Sequence, residues 1–275
     1  MKKKITILFG LILLVAFYSE IKVCAAGGGV TKVKFGTTYK SFDLDGDGKK
    51  DTFKAKVVSP SSNKGSDMET IYIYVNNKKV FQQTIEELPR WDVRLVTVHS
   101  GETLIDISSY VADHGVAHKL YQVQNGKMKM LYDFFKYYDR YTYGNSIYVE
   151  IENVKGNTLI TKASAQFNST GIMNWNMNFV LKEGKIKRTS NQFTPIFYKK
   201  NHWTAQKKIN VYKTAGSSTF AYTLNQGDVV QINKIIFKDL KVFFQVKNKG
   251  GKIGYIICPK TWQNQNYFKE AECAD

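Results

Sequence analysis

Hydrophobic and polar residues alternate with a period of two along most of this chain. Thr70-Ile71-Tyr72-Ile73-Tyr74-Val75, Val93-Arg94-Leu95-Val96-Thr97-Val98 and Ser146-Ile147-Tyr148-Val149-Glu150-Ile151 are the clearest examples. Recurrence of β-branched and aromatic side chains at every second position marks a strand with one buried face. Convincing amphipathic helices are missing; the best candidates are short, around Gln83–Leu88 and Asn264–Ala271. With 17 tyrosines, 17 phenylalanines and only 4 prolines, the chain reads as folded and β-rich. The predicted class is all-β.

A weak internal repeat runs through the first two thirds. Tyr74-Val75-Asn76-Asn77-Lys78-Lys79-Val80-Phe81, Tyr121-Gln122-Val123-Gln124-Asn125-Gly126-Lys127-Met128 and Phe179-Val180-Leu181-Lys182-Glu183-Gly184-Lys185-Ile186 share one plan. Each is an apolar strand, a short Asn/Gly turn, a lysine and a second strand, as a β-hairpin requires. Asn77, Gly126 and Gly184 lie 49 and 58 residues apart. Spacing near 50 suits a four-stranded propeller blade, but three such units fall short of the four to eight that close a ring. A blade-like meander folded into an open or sandwich-like domain is therefore expected. Because hairpin turns are generic, coincidence remains the alternative.

The stretch Gln192-Phe193-Thr194-Pro195 to Lys199-Lys200-Asn201 reads as a junction, where proline interrupts the alternation and charge follows. The expected organisation is a leader over 1–26, a β-rich domain over 27–195, a linker over 196–202, a small barrel over 203–259 and a tail over 260–275.

The leader rests on Met1-Lys2-Lys3-Lys4, an apolar run from Ile5 to Tyr18, and the small residues Cys24-Ala25-Ala26. A basic head, a short apolar middle and a small-residue cleavage site describe a secretory signal peptide. A run of about fourteen residues falls short of the roughly twenty of a membrane span. Ile21-Lys22-Val23 before Cys24 also lacks the small apolar residues of a lipobox. A soluble product, secreted and extracellular or wall-associated, with no stable membrane span after cleavage, is expected.

The formal charge is +17; losing Lys2, Lys3, Lys4, Lys22 and Glu20 with the leader removes +3 and leaves +14. For an exported chain this favours anionic wall polymers or lipid surfaces over nucleic acid. Weak, salt-sensitive adhesion to any anionic surface is the plainer alternative. Cys258 and Cys273 remain after cleavage. Such a pair in an exported chain permits one disulfide, worth about 3 kcal/mol for a loop of this size. Two unpaired thiols are the alternative.

Asp43-Leu44-Asp45-Gly46-Asp47-Gly48-Lys49-Lys50-Asp51 fits D-x-D-x-D-G-x-x-D at every fixed position. A hard cation such as Ca²⁺ takes six to eight oxygens, which alternate residues of a tight loop can supply. Asp43, Asp45 and Asp47 would give side-chain oxygens, Lys49 its carbonyl and Asp51 a carboxylate, with Gly48 at the sharp turn. The twelfth position, where an EF-hand has Glu, is Lys54, and both flanks read as strands. The loop resembles the calcium hairpin of integrin-type (FG-GAP/VCBS-like) propeller blades, which implies a structural Ca²⁺. An ordinary Asp/Gly turn without metal is the alternative.

From Trp203 to about Pro259 a second resemblance appears. Ile209-Asn210-Val211-Tyr212, Ala221-Tyr222-Thr223-Leu224-Asn225-Gln226-Gly227-Asp228-Val229-Val230, Phe243-Phe244-Gln245-Val246-Lys247 and Gly250-Gly251-Lys252-Ile253-Gly254-Tyr255-Ile256 carry it. In order and spacing they resemble a bacterial SH3-like (SH3b) domain, whose members bind cell-wall peptides or glycans. Tyr212 stands where Arg is usual and Tyr255 where Trp is common. The resemblance implies a small barrel in which Tyr212, Tyr222 and Tyr255 are candidate ligand contacts. Gly254 would leave room for close strand packing.

Other constellations carry less. Asp113-His114-Gly115-Val116-Ala117-His118 offers an acid and two histidines, but on a strand His114 and His118 stand about 13 Å apart; a polar turn is the simpler reading. Cys258 with His202 lacks a group to orient the histidine, and Glu86-Glu87 reads as a solvated pair. The run Tyr132–Tyr143 is either a sugar-stacking patch or a strand with core aromatics. The predicted function is a secreted, non-catalytic bacterial protein of Gram-positive type. It would bind cell-wall peptide, glycan or anionic wall polymers through the SH3-like module, rather than nucleic acid. A wall hydrolase with an unrecognised active site, or an adhesin for host glycan or protein, is the alternative.

Overall fold

The computed structural model describes residues 28–59, 68–86, 89–111, 114–135, 147–259 and 266–271. The leader, Cys24, Cys273, Asp113 and residues 136–146 of the tyrosine-rich run lie outside them. Among the described residues no helix is long and apolar enough to cross a membrane.

The fold is all-β. A short strand, β1 (Gly29–Lys32), precedes three consecutive four-stranded antiparallel meanders. The first contains β2 (Thr38–Phe42), β3 (Asp51–Val58), β4 (Met68–Val75) and β5 (Lys78–Glu86). β6 (Arg90–Thr97), β7 (Thr103–Val111), β8 (His114–Gln124) and β9 (Lys127–Asp133) form the second, and β1 extends it by pairing Val30 with Val96. The third contains β10 (Ile147–Lys155), β11 (Thr158–Phe167), β12 (Gly171–Lys182) and β13 (Lys185–Arg188).

The repeat seen in the sequence is the turn between the third and fourth strands of each meander. Asn76 and Asn77 (φ 49° and 62°), Asn125 and Gly126 (52° and 69°), and Glu183 and Gly184 (53° and 65°) all occupy the left-handed region. Two successive positive φ values give a hairpin turn whose twist matches that of the strands it joins.

The sheets pack on one another in succession. Phe53, Ile71 and Ile73 of the first sheet share a core with Val93, Leu95, Ile105 and Ile107 of the second. The second sheet is buried on both faces, since Val96, Leu104 and Leu120 point into a separate core with the third. Every residue from Thr103 to Ser109 is consequently buried. The stack ends at the first sheet because its outer face carries the rows Lys54–Tyr74–Lys79 and Lys56–Tyr72–Gln82. Burying that many ammonium groups, which have no carboxylate beside them in these rows, under a further sheet would be costly.

The third sheet has one buried face, shared between two neighbours. Phe179 packs edge-on against Phe134, just past the end of β9, at 5.2 Å. Trp175 and Phe167 pack against Phe237 and Phe244 of the C-terminal sheet at 5.9 and 5.4 Å. That last sheet contains β14 (Gln192–Phe193), β16 (Trp203–Thr204), β17 (Ile209–Tyr212), β18 (Phe220–Leu224), β19 (Val229–Lys238), β20 (Lys241–Asn248) and β21 (Ile253–Ile257). Its order is β14-β19-β20-β21-β17-β18, with β16 also on β19. Between β14 and β16, β15 (Pro195–Ile196) returns to β12. The junction thus stitches the two sheets together.

The short helix candidates do not form helix in their described parts. Gln83–Glu86 continues β5, because Ile85 pairs with Glu69 and packs on the first core. Residues 266–271 run back across the C-terminal sheet, where Phe268 is fully buried and bridges Ala205.

Candidate metal loop and ligand surfaces

The Asp43–Asp51 loop joins β2 to β3 and is anchored from below. Leu44 is fully buried in the core between the first two sheets. Asp51 is buried as well; its Oδ2 accepts the Leu44 N–H at 2.8 Å and its Oδ1 accepts Asn76 Nδ2 at 2.5 Å. Asp43 accepts the N–H groups of Gly46 and Gly48 at 2.8 and 2.9 Å. Gly46 and Gly48 take φ values of 78° and 82°, which side chains with a Cβ rarely adopt.

One carboxylate oxygen each from Asp43, Asp45 and Asp51 lies within 4.8 Å of the others. Asp47 points aside, its Oδ1 accepting the Lys49 N–H at 2.8 Å and its Oδ2 standing 3.7 Å from Lys49 Nζ. The Asp45 carboxyl is pushed up from its ordinary pKa, first by lost hydration and then by repulsion from Asp51, Asp47 and Asp43; the Asp47 N–H opposes the rise. A divalent cation would relieve that repulsion, and the donors are the hard oxygens that Ca²⁺ prefers. Of the expected donors, Asp43, Asp45 and Asp51 thus stand together as a triad of hard oxygens that could hold a metal ion.

Two neighbours escaped sequence reasoning because they are distant in the chain. Asn76 holds Asp51 from the β4–β5 turn. Glu102 bridges to Asp43 from the second sheet, and its carboxyl is raised by burial and by Asp43, against a hydrogen bond from Gln122.

The three candidate tyrosines divide between two faces of the C-terminal sheet. Tyr212 and Tyr255 are direct cross-strand partners and so share a face. Phe220, opposite Tyr212 on β18, stacks on it at 5.3 Å and is 57% exposed. Gln245 Nε2 donates to the Tyr255 hydroxyl at 2.9 Å, fixing the ring. Tyr222 instead pairs with the buried Val211 and packs against the core. Its ring lies over Gly254, where an added Cβ would come within 3.2 Å of Tyr222 Cε1 and 2.3 Å of Val211 Cγ1. The room expected at Gly254 is therefore real, and it is filled by Val211 and Tyr222.

Cys258 is a buried free thiol whose pKa burial raises to about 11. Its prospective partner Cys273 lies outside the described residues. His202 is exposed while Cys258 is interior, an arrangement unsuited to nucleophile and base.

Residues 114–118 belong to β8 rather than to a polar turn. His118 is buried with its Nε2 2.7 Å from Asp106 Oδ1, and its ring stacks on Phe134 at 4.5 Å. Of the tyrosine-rich run, Tyr132 and Phe134 contribute to the core. Glu86 ends β5, and Glu87 lies outside the described residues.

No family model matches the chain, and comparison with curated proteins and with solved structures likewise finds no match.

Proposed function

We propose that this chain is a secreted, non-catalytic binding protein that associates with the bacterial cell wall through an SH3-like C-terminal module. The aromatic strip Tyr212–Phe220–Tyr255 carries this reading. A stacked, outward-facing pair beside a tyrosine with a fixed hydroxyl offers flat apolar faces with polar tips, which suit a sugar ring or a short peptide. A basic chain adds long-range attraction to anionic wall polymers.

In this proposal Ca²⁺ is structural. Asp43, Asp45 and Asp51 would hold it first, and binding would neutralise carboxylates standing directly on the Leu44 anchor. Binding energy then appears as stability of the core between the first two sheets. Incubating the full chain with purified wall, in competition with soluble host glycans, tests the function. Retention on the wall against the glycans is expected. Displacement by them would favour the adhesin reading.

A further inference from the structure

Three asparagines stand in a row on the outer face of β12. Asn174, Asn176 and Asn178 alternate with the buried Trp175, Met177 and Phe179; Asn176 is exposed and its two neighbours are half-buried. Successive outward positions of a strand lie about 6.8 Å apart, and each carboxamide can both donate and accept. Among the described residues no hydrogen bond reaches the three side-chain amides. The Thr189 N–H and hydroxyl go instead to the main-chain carbonyl of Asn178, at 3.0 and 3.1 Å.

A groove runs beside this row. After β13 the chain leaves the third sheet to place β14 on β19, then returns as β15. The detour opens about 400 Å³ beside Asn176 and Asn178, lined also by Thr189, Ser190, Gln192 and Thr194. No charged side chain lines it. Lys162, opposite Asn176 on β11, holds its ammonium 5.6 Å from the centre of the Tyr198 ring. What the groove complements is a neutral ligand made of amide or hydroxyl dipoles.

A peptide backbone matches the row better than a sugar does. In an extended chain the N–H and C=O of one residue point to the same side, and the next residue to do so lies two along, so its repeat equals that of the asparagines. The one aromatic of the lining, Phe193, is buried and gives no ring face for a sugar to stack on. Simple strand addition has little room here. The lane beside β12 is filled by β13 at Phe179–Lys182 and by β15 at Asn174–Trp175. The open edge of β15 is two residues long, and one of them, Pro195, has no N–H to donate. Side-chain amides, rather than a sheet edge, must hold the ligand.

We propose that this groove binds an extended polypeptide segment, lying along β12 with the N–H and C=O of alternate residues on Asn174, Asn176 and Asn178. Side chains on one flank of the peptide enter the groove, whose hydroxyls and Gln192 suit small polar residues. The site lies on a different sheet from the Tyr212–Tyr255 strip and does not rest on the wall-binding reading.

Nuclear magnetic resonance titration of the isotope-labelled full chain with capped heptaserine tests the proposal, because asparagine side-chain amides are observed directly. Saturable shifts of the Asn174, Asn176 and Asn178 side-chain signals are expected. Methylating the peptide nitrogen of every second residue leaves one face of donors intact and should preserve binding, whereas methylating every nitrogen should weaken it about tenfold or more. The double variant Asn176→Ala/Asn178→Ala, which removes no core contact, should weaken binding about tenfold. Should that variant fail to fold, the methylation series on the parent chain still decides. The proposal is overturned if the three amides show no saturable shift up to about 10 mM peptide, or if neutral chitotriose shifts them as strongly. It is equally overturned if alternate methylation abolishes binding, if the fully methylated peptide binds like the unmodified one, or if the folded double variant binds like the parent chain.

Discussion

The backbone carbonyl of Asp43 accepts a hydrogen bond from the N–H of Thr103 at 3.1 Å. The first aspartate of the candidate metal loop is thereby tied to the second sheet, beside Glu102, while Leu44 fills the core between the two sheets. Anything that orders the loop should stabilise that core rather than the loop alone.

Calcium should therefore raise the unfolding temperature. With free Ca²⁺ at about 100 times its dissociation constant, linkage gives about 2.7 kcal/mol. Asp45→Ala should abolish the difference between melts in Ca²⁺ and in chelator, because Asp45 is the exposed member of the triad and bears no core contact. Identical melts of the parent chain into millimolar Ca²⁺ would show that the loop is a plain Asp/Gly turn.

Arg94 ties the second sheet to the edge strand of the third. It donates to Asp92 Oδ2 from Nε and Nη2 at 3.1 and 2.8 Å, to the Ile151 carbonyl at 3.0 Å and to Glu150 at 2.5 Å. Burial alone would discourage its charge, but the two carboxylates outweigh that and raise its pKa. Arg94→Ala leaves the nearly buried Asp92 with the exposed Lys32, 3.8 Å from its Oδ1, in place of the guanidinium fork, and should cost about 3 kcal/mol in urea unfolding. Arg94→Lys should recover only part, since one ammonium cannot reproduce the fork. A loss below about 0.5 kcal/mol for Arg94→Ala would mean that these contacts contribute little.

Gly254→Ala should destabilise by about 1–3 kcal/mol, because its Cβ would overlap Val211 in a packed interior. An unchanged melting temperature would show that β17 and β21 lie farther apart than described.

Burial holds the Cys258 thiol protonated to about pH 11, against an ordinary value of 9.0. Between those values the folded chain keeps a proton that the unfolded chain releases. Stability from this group is thus complete below about pH 9 and falls as pH rises toward 11, by on the order of 3 kcal/mol. Cys258→Ala should flatten that slope, and the native thiol should resist a disulfide reagent at pH 8 until the chain unfolds. A linked Cys258–Cys273 peptide in non-reducing mass spectrometry would contradict the free thiol and restore the disulfide expectation.

Much of the architecture is legible in the chain because hairpin turns demand special residues. Asn77, Gly126 and Gly184 mark equivalent turns, since each closes a hairpin with φ above zero. The strand alternation reads correctly wherever one face meets solvent, as in Thr158–Phe167. It misleads in β7, where Asp106 and Ser108 look outward by polarity but are buried between two sheets. There Asp106 is satisfied by His118, twelve residues away, a pairing no local pattern announces. The Gln83–Glu86 segment shows the same limit: its helical look yields to pairing with β4. The acidic triad was legible in the aspartate spacing, but Glu102 and Asn76 join it only through the fold. Motif position picks out the tyrosines but does not reveal that Tyr222 pairs with the buried Val211, or that the bulge beyond it puts Phe220 rather than Ala221 opposite Tyr212.

Wall association through the aromatic strip is tested most directly by binding of the full chain to purified wall at about 0.5 M salt, where exposed charges are screened within a few ångströms. Phe220→Ala is the decisive variant, because a side chain 57% exposed can be removed without opening the core. The account predicts that the parent chain still binds at this salt concentration and that Phe220→Ala weakens the residue of binding about fivefold. Tyr255→Ala, shown by circular dichroism to be folded, should do the same. If all binding vanishes in salt, or both variants bind like the parent, the strip is not the contact and the attraction is charge alone.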